Sequence, residues 1–212
     1  MSLRDPDGYR VDLVHGIATA APLPMRPALT INTASDKPRR GAVQRPEMAA
    51  AQILRLGHVA LFVSSFARSR AWYEQTLGML TSDVLYKGTP ENAVGGFLRC
   101  DRGEEWVDHH TIALFESPSV HIHHSSYEVQ DLDMLMMGRE WLRTHNYQPL
   151  WGVGRHVLGS QIFDYWWDPA GNLVEHFSDG DLLQARQETG FTPNTADSLC
   201  QWGPPLPKAF FA

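Results

Sequence analysis

The sequence predicts an α+β fold in which two βαβββ modules pair into one curved, barrel-like mixed sheet around a shared cavity. Three observations carry this reading. The order strand, helix, strand, strand, strand is legible over residues 54–117 and again over 120–178. Short breaks rich in Gly, Pro, Asp and Glu separate the strand candidates. Each copy has a sheet too small to close on itself, so the two should cover one another. A chain of 212 residues, 43% hydrophobic, can bury such a core.

The elements follow in order. "LRLGHVALFV" (54–63) reads as a strand, and "SSFARSRAWYEQTLG" offers a Ser N-cap, an apolar stripe of Phe66, Tyr73 and Leu77, and Gly78 as the stop. "SDVLYKG", "AVGGFLRCD" and "HTIALFES" complete the first module as strands. In the second, "VHIHHSSYEV" is the strand and "DLDMLMMGREWLRTHNY" the helix, capped by Asp131 with Leu132, Leu135, Met136 and Leu142 on its buried side. "PLWGVGRHVLG", "QIFDYWWD" and "NLVEHFS" finish it, the last two joined by the turn Asp168–Gly171.

Outside the modules the pattern changes. "DPDGYRVDL" (5–13) repeats the turn-then-strand wording of "DPAGNLVEHF" (168–177), so residues 1–16 read as the last hairpin of a preceding module whose remainder is absent. Residues 17–48, rich in Pro, Ala, Thr and Arg without apolar periodicity, read as a linker. The catalytic domain is expected over 49–178. The tail, 179–212, has an amphipathic start, "DLLQARQE", then turns to Pro and Gly and is expected to pack over the surface.

Composition excludes several functions. A net charge of -6 with scattered basic residues argues against nucleic acid as a partner. No apolar run approaches the roughly 20 residues that span a bilayer, and the N-terminus lacks the apolar core of a secretory signal, so a cytoplasmic protein without a membrane partner is expected. Cys100 and Cys200 lie far apart without metal-type spacing and read as free thiols.

The ten histidines are the chemical lead, because several fall inside strand-like segments. With a two-residue period, His58 shares a face with Leu54, Leu56, Ala60 and Phe62, His124 with Ile122, Ser126 and Glu128, and Glu175 with Leu173 and Phe177. A carboxylate there is costly to bury unless it is paired or binds metal. Two histidines and one carboxylate from three strands make the facial triad expected for non-haem Fe(II), leaving positions open for a chelating substrate and dioxygen. Taken singly, each also suits an ordinary core residue. His121, His123 and His176 have the opposite parity and read as structural.

"LGHVAL", "IHHSSYEV" and "GNLVEHF" together resemble the metal-bearing strands of the vicinal oxygen chelate superfamily, and more narrowly the type I extradiol ring-cleavage dioxygenases of the catechol 2,3-dioxygenase and dihydroxybiphenyl dioxygenase kind. The resemblance covers about Leu54 to Phe177. It implies His58, His124 and Glu175 as ligands of Fe(II), with Mn(II) as an alternative, and it prefers His124 over His123. "DHHTIAL" is similar to the strand that places an acid/base histidine, with His110 the better match of its pair, and "GRHVLGSQIFDYW" matches at His156 and Tyr165, which the family aims at the substrate or its oxygens. Val157, Leu158 and Gly159 depart from the polar residues common after that histidine.

What the resemblance implies is cleavage of a catechol by O2 beside the diol. His156 and Tyr165 would relay the substrate proton, and His110 would donate a proton later and stabilise charge. A homo-oligomer is expected. Bland readings stand beside these: His109 and His110 suit a loop, Tyr165 suits an aromatic core stripe with Phe163 and Trp167, and Arg155 suits either a substrate carboxylate or solvent. The alternatives within the same superfamily are a glyoxalase-like lyase or isomerase, whose sites usually have four protein ligands, and a metal-free binding module.

Overall fold

In the computed structural model, which describes residues 1–211, a short hairpin of β1 (Ser2–Arg4) and β2 (Arg10–Asp12) comes first. Its turn is built as the sequence repeat suggests. Asp5 Oδ1 accepts from the backbone N–H of Asp7 and Tyr9, and Asp168 Oδ1 accepts likewise from Ala170 and Asn172. Both are Asp side chains closing a turn on their own backbone. The hairpin docks on the body: Tyr9 Oη donates to Phe62 O at 2.9 Å, and Tyr73 Oη donates to Asp5 Oδ2 at 3.2 Å.

Among the described residues no helix or strand occurs between β2 and β3 (Ile53–Val63). This stretch still touches the body, through Arg26 Nη2 on Asp131 Oδ1 at 2.5 Å. Then α1 (Phe66–Leu77) begins where Ser65 Oγ accepts from Arg68 N and ends where Gly78 turns left-handed, φ 68°, a conformation cheap only for glycine. The first module closes with β4 (Leu80–Tyr86), β5 (Ala93–Arg99), the two-residue β6 (Val107–Asp108) and β7 (Ile112–Glu116).

The second module runs β8 (His121–Val129), α2 (Leu132–Thr144), β9 (Gln148–Arg155), β10 (Ile162–Trp167) and β11 (Leu173–Ser178). Asp131 caps α2 by accepting from Met134 N. β12 (Leu182–Leu183) and β13 (Gly190–Pro193) follow, and a 3-10 turn occupies Lys208–Phe211.

One nine-stranded sheet has the order β13-β4-β5-β7-β3-β8-β11-β10-β9. Each module contributes the same arrangement: its first strand pairs in parallel with its last, β3 with β7 and β8 with β11, and the other two strands follow outward. β3 and β8 pair antiparallel at the centre and fuse the halves. This is the mixed curved sheet expected from the repeat. Phe66 and Tyr73 of α1 cluster with Val84 and Leu114 of the sheet, while Met134 and Leu135 of α2 cluster with Val129 and Ile162. Each such side chain contributes about 1.5–3 kcal/mol by leaving water.

Three expectations need correction. The buried side of α2 is Met134, Leu135, Met137 and Gly138, whereas Leu132 and Met136 are 45% and 46% exposed. The reason is close approach: Gly138 lies against Ala51, whose Cβ would be 2.6 Å from any Cβ at 138, so the helix rolls toward its small residue. On β3, Leu54 and Leu56 are exposed while His58 is buried, because a register shift between Leu56 and His58 breaks strict alternation. The tail does not merely cover the surface. Its β13 extends the main sheet beside β4, β12 pairs with β6, and Phe210 enters the core.

Candidate functional site

Register assembles the site. His58 on β3 and Glu175 on β11 both lie opposite Ser126 of β8, one from each side, and His124 stands two residues along β8 on the same face. Ser126 is fully buried and small, which leaves room between its larger neighbours. His58, His124 and Glu175 are thereby brought together as a buried group, with one donor atom from each within 4.8 Å of the others.

The donor atoms form a near-equilateral triangle. His58 Nε2 is 3.3 Å from His124 Nε2 and 3.2 Å from Glu175 Oε2, and His124 Nε2 is 3.5 Å from Glu175 Oε2. Ligand atoms about 2.1 Å from one divalent ion stand roughly 3.0–3.4 Å apart, so the triangle has the size such an ion requires. Neither oxygen of Glu175 has an aligned hydrogen-bond partner, nor has Nδ1 of His58, although all are buried. Buried carboxylate oxygens left so are costly. Burial pushes the Glu175 carboxyl up, yet the imidazoles of His124, His156 and His58 outweigh it and hold the group well below the usual carboxylate range. Burial holds His124 below the usual imidazole range. One ionised carboxylate and neutral imidazoles fit a divalent cation.

Neighbouring residues set the tautomers. His123 Nε2 donates to Phe210 O, and its Nδ1 lies 2.7 Å from His124 Nδ1. With both rings neutral, His123 Nδ1 accepts, His124 Nδ1–H donates, and His124 Nε2 keeps its lone pair toward the triangle. His123, read as structural from parity, is therefore in direct contact with the ring it orients.

A parallel chain serves His110. His109 Nε2 is 2.7 Å from Asp83 Oδ2, and His109 Nδ1 is 3.0 Å from His110 Nδ1. The carboxylate accepts, so with neutral rings the Nε2 of His110 is left as an acceptor. The His110 ring is tilted 47° against that of His58 with centroids 4.1 Å apart, and burial and that neighbour hold it well below the usual imidazole range. Neither histidine belongs to a strand: both lie between β6 and β7, buried.

On the other side, His156 Nδ1 donates to Leu199 O at 2.7 Å, so its Nε2 accepts from Tyr165 Oη at 3.0 Å. Tyr165 is buried in the aromatic core as well as facing the site, and burial together with Glu175 pushes its phenol well above the ordinary value. A cavity reaches His58, His124, His110, His156 and Tyr165 together. Arg155 does not reach it: its guanidinium bonds Ser160 O and Asp179 Oδ2. Leu158, in the departing "VLG" segment, lines the cavity instead.

Several residues of the site carried no site role in the sequence reading, which took His109 and His123 as the lesser members of their pairs. Asp83, His109 and His123 act through a partner histidine, and Ser198, Leu199, Phe210 and Phe211 of the tail line the cavity. The closing "FF" of a Pro-rich tail was the available signal.

The family model described as Glyoxalase/Bleomycin resistance protein/Dioxygenase superfamily matches residues 55–176. The chain belongs to this superfamily. Among curated proteins, metapyrocatechase 2 of Cupriavidus necator is 35% identical over 207 residues, which is 97% of this chain and 61% of that protein. This superfamily member thus spans about three-fifths of the length of the curated relative it matches. Solved structures share the fold. The Mn(II)-bound glyoxalase from Novosphingobium aromaticivorans has a TM-score of 0.64 at 24% identity, over 74% of this chain and 49% of that one. The homoprotocatechuate 2,3-dioxygenase from Arthrobacter globiformis has a TM-score of 0.65 at 18% identity, over 77% and 50%. The 2,3-dioxygenase LapB from Pseudomonas sp. KL28 has a TM-score of 0.61 at 21% identity, over 66% and 48%.

Proposed function

We propose that this superfamily member carries the catalytic site of an Fe(II)-dependent extradiol dioxygenase, which opens the ring of a catechol with O2. The observation that carries the proposal is the coincidence of two sets of groups. His58 and His124 of the triangle border one cavity with the proton-handling residues His110, His156 and Tyr165, and Glu175 Oε2 stands 3.2 Å from His58 Nε2. The relationship to metapyrocatechase 2 supports the same reading.

His58 Nε2, His124 Nε2 and Glu175 would hold the metal, with Mn(II) the alternative occupant. Bound there, Fe(II) supplies a Lewis acid that lowers the pKa of a coordinated hydroxyl and a redox centre that keeps diol and dioxygen adjacent. Both oxygen atoms enter the ring-opened product, so no external reductant is consumed.

The chain's own groups manage the protons. Tyr165 stays a neutral phenol, so it passes a proton rather than holding a charge: it accepts from the substrate hydroxyl while its own proton moves to His156 Nε2. Leu199 O, holding His156 Nδ1–H, then stabilises the resulting imidazolium. His110 Nε2, an acceptor in the neutral chain from Asp83, would take the second proton of the diol and return it as a general acid to an oxygen of the product. Phe210 and Phe211 limit water at the reacting atoms.

The test is purification under argon, loading with Fe(II), and admission of air with catechol. A yellow ring-fission product with one O2 consumed per ring is expected. Metal bound at the triangle without O2 uptake from any catechol would overturn the proposal, and turnover of a thiol–aldehyde adduct would replace it with the lyase chemistry.

A further inference from the structure

Two residues outside the cavity complete a path that His110 begins. Asp83 lies on β4 and His109 on the segment before β7, and neither lines the cavity that His110 reaches. Asp83 Oδ2 is 2.7 Å from His109 Nε2, and His109 Nδ1 is 3.0 Å from His110 Nδ1. The far end meets water, because the Asp83 side chain is 16% exposed against 5% for His109. A continuous row of hydrogen bonds thus joins the cavity to solvent.

The row is braced on both sides. His109 N donates to Asp181 O at 2.9 Å, and His109 O accepts at 2.6 Å from Ser82 Oγ, which itself accepts from Arg99 Nη1 at 3.0 Å. β13 runs in parallel beside β4 with Gly190 opposite Asp83, where a Cβ would stand 2.0 Å from Asp83 Oδ1, so glycine is what lets the tail approach the carboxylate. Buried Arg99 spends its other donors on the carbonyls of Thr81, Gln184 and Gln187. Among the described residues, then, no guanidinium pairs with Asp83, and its carboxylate faces His109 alone as a partner of opposite character.

We propose that Asp83 and His109 are positioning residues that act through His110 as a proton relay, holding on partly exposed Asp83 the proton that the diol gives up. The inference rests on the ring-cleavage reading and deepens it. With neutral rings, His109 carries its proton on Nε2 and His110 on Nδ1. As the substrate O–H bond breaks and its proton bonds to His110 Nε2, the Nδ1 proton of His110 passes to His109 Nδ1, and the Nε2 proton of His109 passes to Asp83 Oδ2. One proton leaves the substrate and one reaches the carboxylate, with no electron transferred and no imidazolium left behind. A cationic ring at the 4% exposure of His110 would lack hydration, whereas protonating Asp83 removes a charge instead of creating one. The same three shifts run backwards when the proton returns to the product.

Two substitutions cut the row without turning His110. In Asp83→Asn the amide oxygen still accepts from His109 Nε2–H but takes no proton, and in His109→Asn the amide oxygen replaces Nδ1 as the acceptor for His110. With the Fe(II)-loaded enzyme, catechol and O2, each should lose about 10–100-fold in kcat with KM held within about twofold, and the double variant should lose no more than either single one. Two unrelated structural effects would multiply instead. Proton positions are read separately, from NMR spectra of the imidazole nitrogens in the Zn(II)-loaded protein, where His110 should carry its proton on Nδ1 in wild type and in both variants. Either single variant turning over at the wild-type rate, multiplied losses in the double variant, or a His110 proton on Nε2 would overturn the relay while leaving ring cleavage intact. A wild-type enzyme that takes up no O2 would overturn the ring-cleavage reading and the relay with it.

Discussion

His123 Nδ1 lies 2.7 Å from His124 Nδ1, and the far side of the His123 ring is fixed by Phe210 O. The tail therefore sets which nitrogen of His124 is free to bind metal. Replacing His123 with Phe keeps the aromatic packing but strands the His124 Nδ1–H in a buried site, at about 1–3 kcal/mol. Metal affinity should fall about 10–100-fold, as for other partners that orient a ligating histidine. Competition with a chromogenic chelator measures it, and an unchanged affinity would remove His123 from this role.

Glu175 and His110 should separate cleanly. Glu175→Ala removes the only carboxylate of the triangle, so metal content and turnover should vanish together. His110→Phe should retain the metal and lose about 10²–10⁴ in turnover, the range for a removed general acid–base group. Elemental analysis beside oxygen-electrode rates reads both. A His110→Phe protein as fast as wild type would move the proton role to another residue.

Gly57 precedes His58, and a Cβ built there would overlap the ring of Phe177. Gly57→Ala should cost about 1–3 kcal/mol by overpacking and should loosen the metal as His58 shifts. Thermal unfolding and metal titration report the two effects. Stability at the wild-type value would mean that Phe177 relocates without strain.

Asp164, buried on β10, is pushed up to about 6 by desolvation, to which the nearby Glu175 charge adds, against the donors Trp166 and Arg139. An acid whose folded pKa is raised binds its proton more tightly when folded, so its contribution to stability is present below about 4 and lost as pH rises through about 6. The stability difference between wild type and Asp164→Asn should therefore decline between pH 4 and 6 and be flat above. Denaturant midpoints at a series of pH values measure it. A difference independent of pH would show that Asp164 does not titrate there.

Much of this was legible in the sequence because it is set locally. Ser65, Gly78 and Asp131 mark helix ends through their own backbone chemistry, and Asp168 closes its turn within five residues. Period-two alternation located the strands, and family motifs singled out His58, His124 and Glu175, which the structure brings together. Strand alternation failed where a register shift intervened, as at Leu56, and the helical stripe failed where a close approach did, as at Gly138.

The amino-acid order by itself determined the repeated module, the identity of its strands and helices, and the small set of polar side chains available for chemistry. These depend on residues within a turn or two of one another. Only the tertiary structure decided that Asp83 stands behind His109, that the tail returns to hold His123 and wall the cavity, and which nitrogen of each imidazole is free. Such contacts join positions up to 87 residues apart, and no local period encodes them.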